Sequence, residues 1–476
     1  MKTQVSVYEP CRGIVPLRAR LENWMVTLLE EPKLVHDLLD KHGAPLNIQS
    51  DAPFRGNIAD LIGCVGEFDL PFLPMFARKA NKCLTYVDAA RDINIGIDTA
   101  SHAEVVQCLD RGLPGDRIVC TAAVKDQDLM SLCVANGVTI ILDNLDEITL
   151  LEEVVQYQDR PVSVGLRLNA FEREGQPLYS RFGLPLRKIP DIATRLSQTP
   201  QITLDGLHFH LNGYSSADRI AAIAQTLPVI TALRHSIQRD FFLDIGGGIP
   251  MNYLDDPAQW DTWKSELDAA LGGTREPITQ HNVGLGRTVD PDGAKGSIDS
   301  YPVAQGVVQT DWMREILNAT DGGKTIANRL RDAKVSLRCE PGRSVLDGCG
   351  MTLARVAFCK TDSAGVPVIG VQMNRTQSRS GFSEFALDPL MVPGPEPRGD
   401  PVEGYLAGTY CTESEWLTRR KMVFPAGVRP GDIMVFPNTA GYLMHFLESR
   451  SHQFPLAKNV FLQRDGTATL DAIDTD

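Results

Sequence analysis

The 476 residues hold no apolar run approaching the about eighteen that a membrane span needs. The first twenty, MKTQVSVYEPCRGIVPLRAR, lack the apolar h-region of a secretory leader, so a cytoplasmic protein is expected. Positive charge is in deficit, with 47 Lys and Arg against 60 Asp and Glu and a formal net charge of -13. Nucleic acid and anionic membrane both need a basic face and are excluded as partners, although a local basic pocket is not. Ten cysteines are scattered without a C-x-x-C pair, so neither a zinc site nor a disulfide framework is offered. Most of them read as small buried hydrophobes. The dinucleotide fingerprint is missing too, because in DIGGGIPM Met251 stands where the last glycine of G-x-G-x-x-G belongs.

What is there is the profile of an ordinary globular chain, 43% hydrophobic and 22% charged, long enough for two or three domains. Short apolar β-branched runs alternate with helical patterns: LPMFARKA, INIGID, DRIVCTA, VTIILD, VSVGLRLN, LDGLHFHL, FFLDIGGG and VSLRCEPG, eight in all. Between the second and third, Ser101 and Glu104 have capping-box spacing, Val105, Val106 and Leu109 share a face, and Gly112 ends the helix. Strands alternating with helices imply a parallel sheet, and eight of them an α/β fold closed as a (β/α)8 TIM-like barrel, whose chemistry sits at the carboxyl ends of its strands. Lys79, Asp98, Asp143, Arg167, His210, the Gly246-Gly247-Gly248 run and Glu340 all fall at or just past such ends. Strands usually stop where polarity begins, so each position alone says little; their convergence on one face says more. The barrel is expected over 51–343, with a long rim excursion at about 251–335. Strands without regular helices and separated by Pro- and Gly-rich turns predict a C-terminal β-domain over 344–476, to which residues 1–50 contribute through LLDKHGAPLNIQ.

HFHLNG admits two readings. His208 and His210, two apart on a strand, face the same way and could share one ion, which would make the protein a metal-dependent barrel hydrolase. The pair lies on the sixth strand, however, and few later histidines remain to complete a metal site. The other reading begins with the glycine run, which after a seventh barrel strand can hold phosphate on backbone N–H groups, with EPGR beside it adding Gly342 and Arg343. A phosphate site facing a strand-end lysine, with a flat ring and a carboxylate between them, suggests pyridoxal phosphate. Lys79 would form the Schiff base, Glu340 would pair with the pyridine nitrogen, and His210 would stack on the ring.

The same residues carry a family resemblance. ARKAN, NIGIDTASHAEV, GLHFHLNG, DIGGG, CEPGR and GTYCTESEWL resemble motifs of the barrel-type (fold type III) pyridoxal phosphate decarboxylases, especially diaminopimelate decarboxylase, with the ornithine and arginine enzymes more distant. The resemblance implies the two-domain architecture that alanine racemase shares. It makes Lys79 the Schiff-base lysine and Asp98 the carboxylate near it. Arg167, followed by SRFG, becomes the barrel arginine; Gly246 to Gly248, Arg343 and Tyr442 become phosphate contacts, and Glu340 the pyridine partner. His210 becomes the stacking residue, while His208 points into the barrel. Cys411 becomes the general acid that reaches a neighbouring subunit's site, which implies a homodimer with shared sites.

Departures bear on the substrate. After the cysteine, relatives that act on diamino substrates place an acidic residue for the distal ammonium, whereas this chain has Thr412, which cannot make that charge-assisted bond. Glu413 or Glu415 could bend inward instead, and Arg375 or Arg379 could take over a carboxylate grip. Gly213 stands where many relatives offer a serine to phosphate. These changes suit α-decarboxylation of an amino acid conjugate, as in siderophore or other secondary-metabolite synthesis, in preference to a simple diamino acid. A racemase is the nearest rival, and Glu340 speaks against it, because racemases of this barrel usually pair the ring nitrogen with arginine.

Overall fold

The computed structural model describes residues 10–475 apart from 158–159, 235–236, 238, 382–385, 398 and 464. The chain forms two compact units: Arg55–Pro250 with Val307–Val345, and the chain up to Phe54 with Met251–Gly306 and everything from Leu346 onward.

The first unit is the barrel. Its strands are β1 (Phe72–Ala77), β2 (Gly96–Thr99), β3 (Ile118–Cys120), β4 (Thr139–Leu142), β5 (Val162–Asn169), β6 (Ile202–His208), β7 (Phe241–Asp244) and β8 (Val335–Cys339). Each pairs in parallel with the next, and β8 pairs back onto β1, so no edge is left open. Met75, Val119, Ile141 and Phe242 fill the interior. Phe242 fits because Gly206 lies opposite, where a Cβ would stand 2.4 Å from its ring. Helix α1 (His102–Asp110) starts where the capping box places it: Ser101 accepts from the Glu104 N–H at 3.3 Å, and Glu104 accepts from the Ala100 N–H.

The excursion departs from its expected place. Met251–Gly306 packs in the second unit, and the chain returns to the barrel unit from Val307. The physical reason is an apolar face: Trp260, Trp263, Leu267 and Ala270 of the helix Ala258–Leu271 are buried, and Trp263 lies beneath the Arg420 guanidinium. Main-chain bonds join Gln280 to Arg419 and Lys421 to Ile278. Elsewhere in this unit the twelve-residue strand Gly350–Thr361 pairs with Leu46–Gln49, Pro367–Val371 and Ile433–Pro437. Leu46–Gln49 also pairs with Lys458–Leu462, so the segment LNIQ is an interior strand of the sheet.

Candidate active site

Past the ends of β6, β7, β8 and β1 the main-chain bonding continues. Phe209 N–H donates to Asp244 O, Ile245 N–H to Arg338 O, Glu340 N–H to Gly246 O and Ala77 N–H to Pro341 O, all at 2.9 to 3.0 Å. The positions of His210, the glycine run, Glu340 and Lys79 are therefore fixed through backbone, the stiffest available support.

Lys79 lies in the single 3-10 turn Arg78–Ala80 that follows β1. Its Nζ donates to Asp98 Oδ2 at 2.9 Å, and Thr121 Oγ1 donates to the other oxygen. The lysine side chain is 32% exposed while its partner is fully buried, so the amine opens on the barrel mouth above a hidden carboxyl. Burial first, and then the charge of Glu340, push Asp98 up to about 7 against the pull of Lys79 and Thr121.

Glu340 goes the other way. Burial alone would raise it, but its interactions with His208 and His210 and the nearby charge of Lys79 hold the carboxyl well below the usual range. His208 Nε2 is 3.0 Å from Oε1. Burial keeps this imidazole neutral, so Nε2–H donates to Glu340 and Nδ1 is a bare acceptor with no hydrogen-bond partner among the described residues. Oε2 faces His210 Nδ1 at 3.7 Å, longer than an ordinary hydrogen bond. His210 Nδ1 accepts instead from the Gly247 N–H at 3.1 Å, and burial lowers this histidine as well. A neutral, flat ring with its proton on Nε2 results.

Donor atoms of His208, Asp244 and Glu340 lie within 4.8 Å of one another. This grouping differs from the His208–His210 pair of the metal reading, since His210 is not among the three. Burial and the charge of Glu340 raise Asp244 well above the ordinary range, and its Oδ1 accepts from the Gly246 N–H at 2.9 Å. The cluster is thus a neutral acid beside a neutral imidazole that is hydrogen-bonded to one carboxylate.

Only glycine fits the loop after β7. Gly246 and Gly248 have φ of 66 and 83°, and a Cβ on Gly246, Gly247 or Gly248 would lie 2.7, 2.6 or 2.4 Å from His210 Nδ1, Glu340 O and Arg219 Nη2 respectively. Arg219 is a site residue that the sequence reading missed. Fully buried, it donates through Nη2 to Leu211 O and Gly213 O at 2.8 Å and to Gly247 O at 3.3 Å, binding the HLNG turn to the glycine loop. The signal was present: Arg219 shares the buried face of α2 (Ser216–Arg234) with Ala222, Ile223 and Thr226. Arg167 is buried over the Phe182 ring at 4.2 Å, with Nε 3.7 Å from Asp143, whose Oδ1 also accepts from the Gly183 N–H.

The remaining expected residues belong to the second unit. Cys411 and Thr412 are exposed on a turn. Glu415 is 3% exposed, with Oε1 accepting from the Arg375 N–H at 2.8 Å, which fits a brace of this turn. Arg375 donates to Ser414 O and Oγ, and Arg379 Nη2 donates to Trp416 O at 3.0 Å. Tyr442 has a φ of 69° and meets the Phe446 ring edge-on.

Known proteins share this architecture. The pyridoxal-binding domain of pyridoxal-dependent decarboxylases matches residues 62–283. Protein y4yA of Sinorhizobium fredii, described as uncharacterized, is 29% identical over 430 residues, which cover 89% of this chain and 88% of the relative. The 2-[(L-alanin-3-ylcarbamoyl)methyl]-2-hydroxybutanedioate decarboxylase of Staphylococcus aureus is 24% identical over 202 residues, 40% of this chain and 50% of the relative. Diaminopimelate decarboxylase of M. jannaschii, crystallised with L-lysine, superposes with a TM-score of 0.69 at 16% identity over 92% of this chain and 91% of that one. The matched domain, set in a barrel with a β-rich companion, makes the chain similar to the fold type III pyridoxal-dependent decarboxylases, carboxy-lyases that work with pyridoxal phosphate.

Proposed function

We propose that this enzyme removes the α-carboxylate of an amino acid whose side chain carries a conjugated group without a distal ammonium. The observation that carries the reading is Glu340, buried, held ionised, and with Oε2 meeting only His210 Nδ1, at 3.7 Å, among the described residues. That oxygen suits the protonated ring nitrogen of pyridoxal phosphate, and the glycine loop, closed to any Cβ, suits its phosphate. The residues present therefore fit the cofactor.

When bound, the cofactor supplies a ring that accepts the electron pair left as the carboxylate departs. In this reading Lys79 provides the amine for its attachment, and Asp98 steadies that amine. Glu340 keeps a proton at the ring nitrogen, and neutral His210 covers one face. The N–H groups of Gly246 to Gly248, with Arg343 and Tyr442, hold the phosphate. Gly342 lets the EPGR turn come close, and Arg167 positions its loop. Cys411, from a partner subunit of a homodimer, delivers a proton to the α-carbon. Arg343, Arg379 and Thr412 meet the substrate, with Glu415 bracing the turn. Thr412 supports the absence of an ammonium, and the Staphylococcus relative is named for an amide conjugate of alanine.

A panel of free and conjugated amino acids, followed by mass spectrometry for loss of carbon dioxide, tests this. Turnover is expected with a conjugate, and Lys79→Ala should lose both turnover and the visible absorbance of the bound cofactor. Proton exchange at the α-carbon without carbon dioxide release would overturn it.

A further inference from the structure

We infer that His452 is the proton-relay partner of Cys411, a positioning and reloading residue for the acid step. The inference rests on the proposed role of Cys411. Its Sγ lies 3.5 Å from His452 Nε2, within hydrogen-bonding reach for sulfur, although the two residues are 41 apart in the chain. The imidazole is held rather than free: the Tyr410 ring meets it at 5.1 Å and 67°, and the Phe454 ring at 6.0 Å and 81°. Tyr410 is itself fixed by stacking on Phe454 at 6.3 Å and by its hydroxyl, which donates to Ser449 O at 3.3 Å. His452 also sits at φ 57°, a left-handed backbone that non-glycine residues seldom adopt and that aims its ring from the turn Ser451–Gln453. Other titratable groups on these turns are the exposed Glu413 and Arg450, the Tyr410 phenol, and Arg375, which is engaged by Ser414 and Glu415.

The chemistry needs such a partner. A thiol that protonates carbon is left as a thiolate and must recover a proton before the next turnover, in a site from which bound substrate excludes water. In the relay the Sγ–H proton goes to the substrate carbon. His452 Nε2 then takes a proton from solvent and passes it to Sγ, which restores the thiol and leaves the imidazole as it began. Before reaction His452 Nε2 stands where it can take the Sγ–H proton as the thiol meets an electrophile, so the pair should be visible without turnover.

The test is alkylation of the full-length protein by iodoacetamide at pH 6.5, read on the Cys411 peptide by mass spectrometry. Peptide mapping separates it from Cys359, the other exposed cysteine. His452→Ala and His452→Phe should both slow Cys411 labelling roughly five- to tenfold, although Phe preserves the packing against Tyr410 and Phe454. With a substrate in hand, added imidazole should restore turnover to His452→Ala and leave Cys411→Ala inactive. Wild-type labelling in His452→Phe would overturn the relay, since ring packing alone would then explain the residue. Failure of every substrate to release carbon dioxide would sink the decarboxylase reading while leaving the labelling contrast intact.

Discussion

At the scale of single residues, the site drives two buried carboxyls in opposite directions from their ordinary range. Glu340 is ionised because His208, His210 and Lys79 outweigh its burial, whereas burial leads for Asp98 and lifts it to about 7. The lift is a statement about stability. Unfolded, Asp98 releases its proton near the ordinary value of about 3.9, so the folded chain binds an extra proton between about pH 4 and 7. The contribution of Asp98 to stability is therefore complete below pH 4 and lost as pH rises through about 7. Asp98→Asn removes that titration. In urea unfolding of the cofactor-free protein, wild type should lose stability relative to the variant between pH 5 and 7.5, by on the order of 2 to 4 kcal/mol. Parallel profiles for the two proteins would contradict the assignment. His208 shows where residue-level reading falls short. Its spacing from His210 marks only the strand face, and that it donates to Glu340 on β8, 132 residues away, depends on barrel closure that no local pattern encodes.

Among elements, the strand ends were the legible part. Period and polarity placed Lys79, Asp98, His210, the glycine run and Glu340 at the mouth, and the structure brings them together by extending the ladder past β6, β7, β8 and β1. What supports those ends was less legible, because its partners are main-chain carbonyls or distant charges. Lys125 and Glu147, both buried, pair at 3.1 Å, and Glu147 accepts from the Asp143 N–H, tying the loop after β3 to the end of β4. The destination of the 251–306 segment was hidden for a similar reason: an apolar helix face states that it must be covered, not by what. Arg219 gives the test at this scale. Gly248 combines a φ of 83° with a virtual Cβ 2.4 Å from Arg219 Nη2 and 2.7 Å from Gly213 O. Gly248→Ala must therefore move the loop, the arginine, or both. Pyridoxal phosphate affinity, titrated by absorbance, should fall by roughly tenfold or more, while circular dichroism shows the barrel intact. Undiminished affinity would mean that the loop does not carry the phosphate.

For the whole molecule, the proposed chemistry is divided between two units of the chain. Lys79 and Glu340 belong to the barrel unit, while Cys411 and Thr412 belong to the β-rich unit. In the proposed homodimer each site takes its lysine from one subunit and its cysteine from the other, and this can be decided by mixing. Lys79→Ala and Cys411→Ala should each be nearly inactive alone. If both are unfolded, mixed and refolded together, random pairing makes about half of the dimers hybrid. In a hybrid, one site collects both substitutions and the other collects none, so about a quarter of all sites are intact and about a quarter of wild-type turnover should return. If each site were built from a single chain, every site in the mixture would carry one lesion, and turnover would stay at the level of the parents. The recovered fraction does not separate a dimer from larger rings, because head-to-tail contacts around a longer cycle give the same intact fraction; the mass measured by sedimentation does.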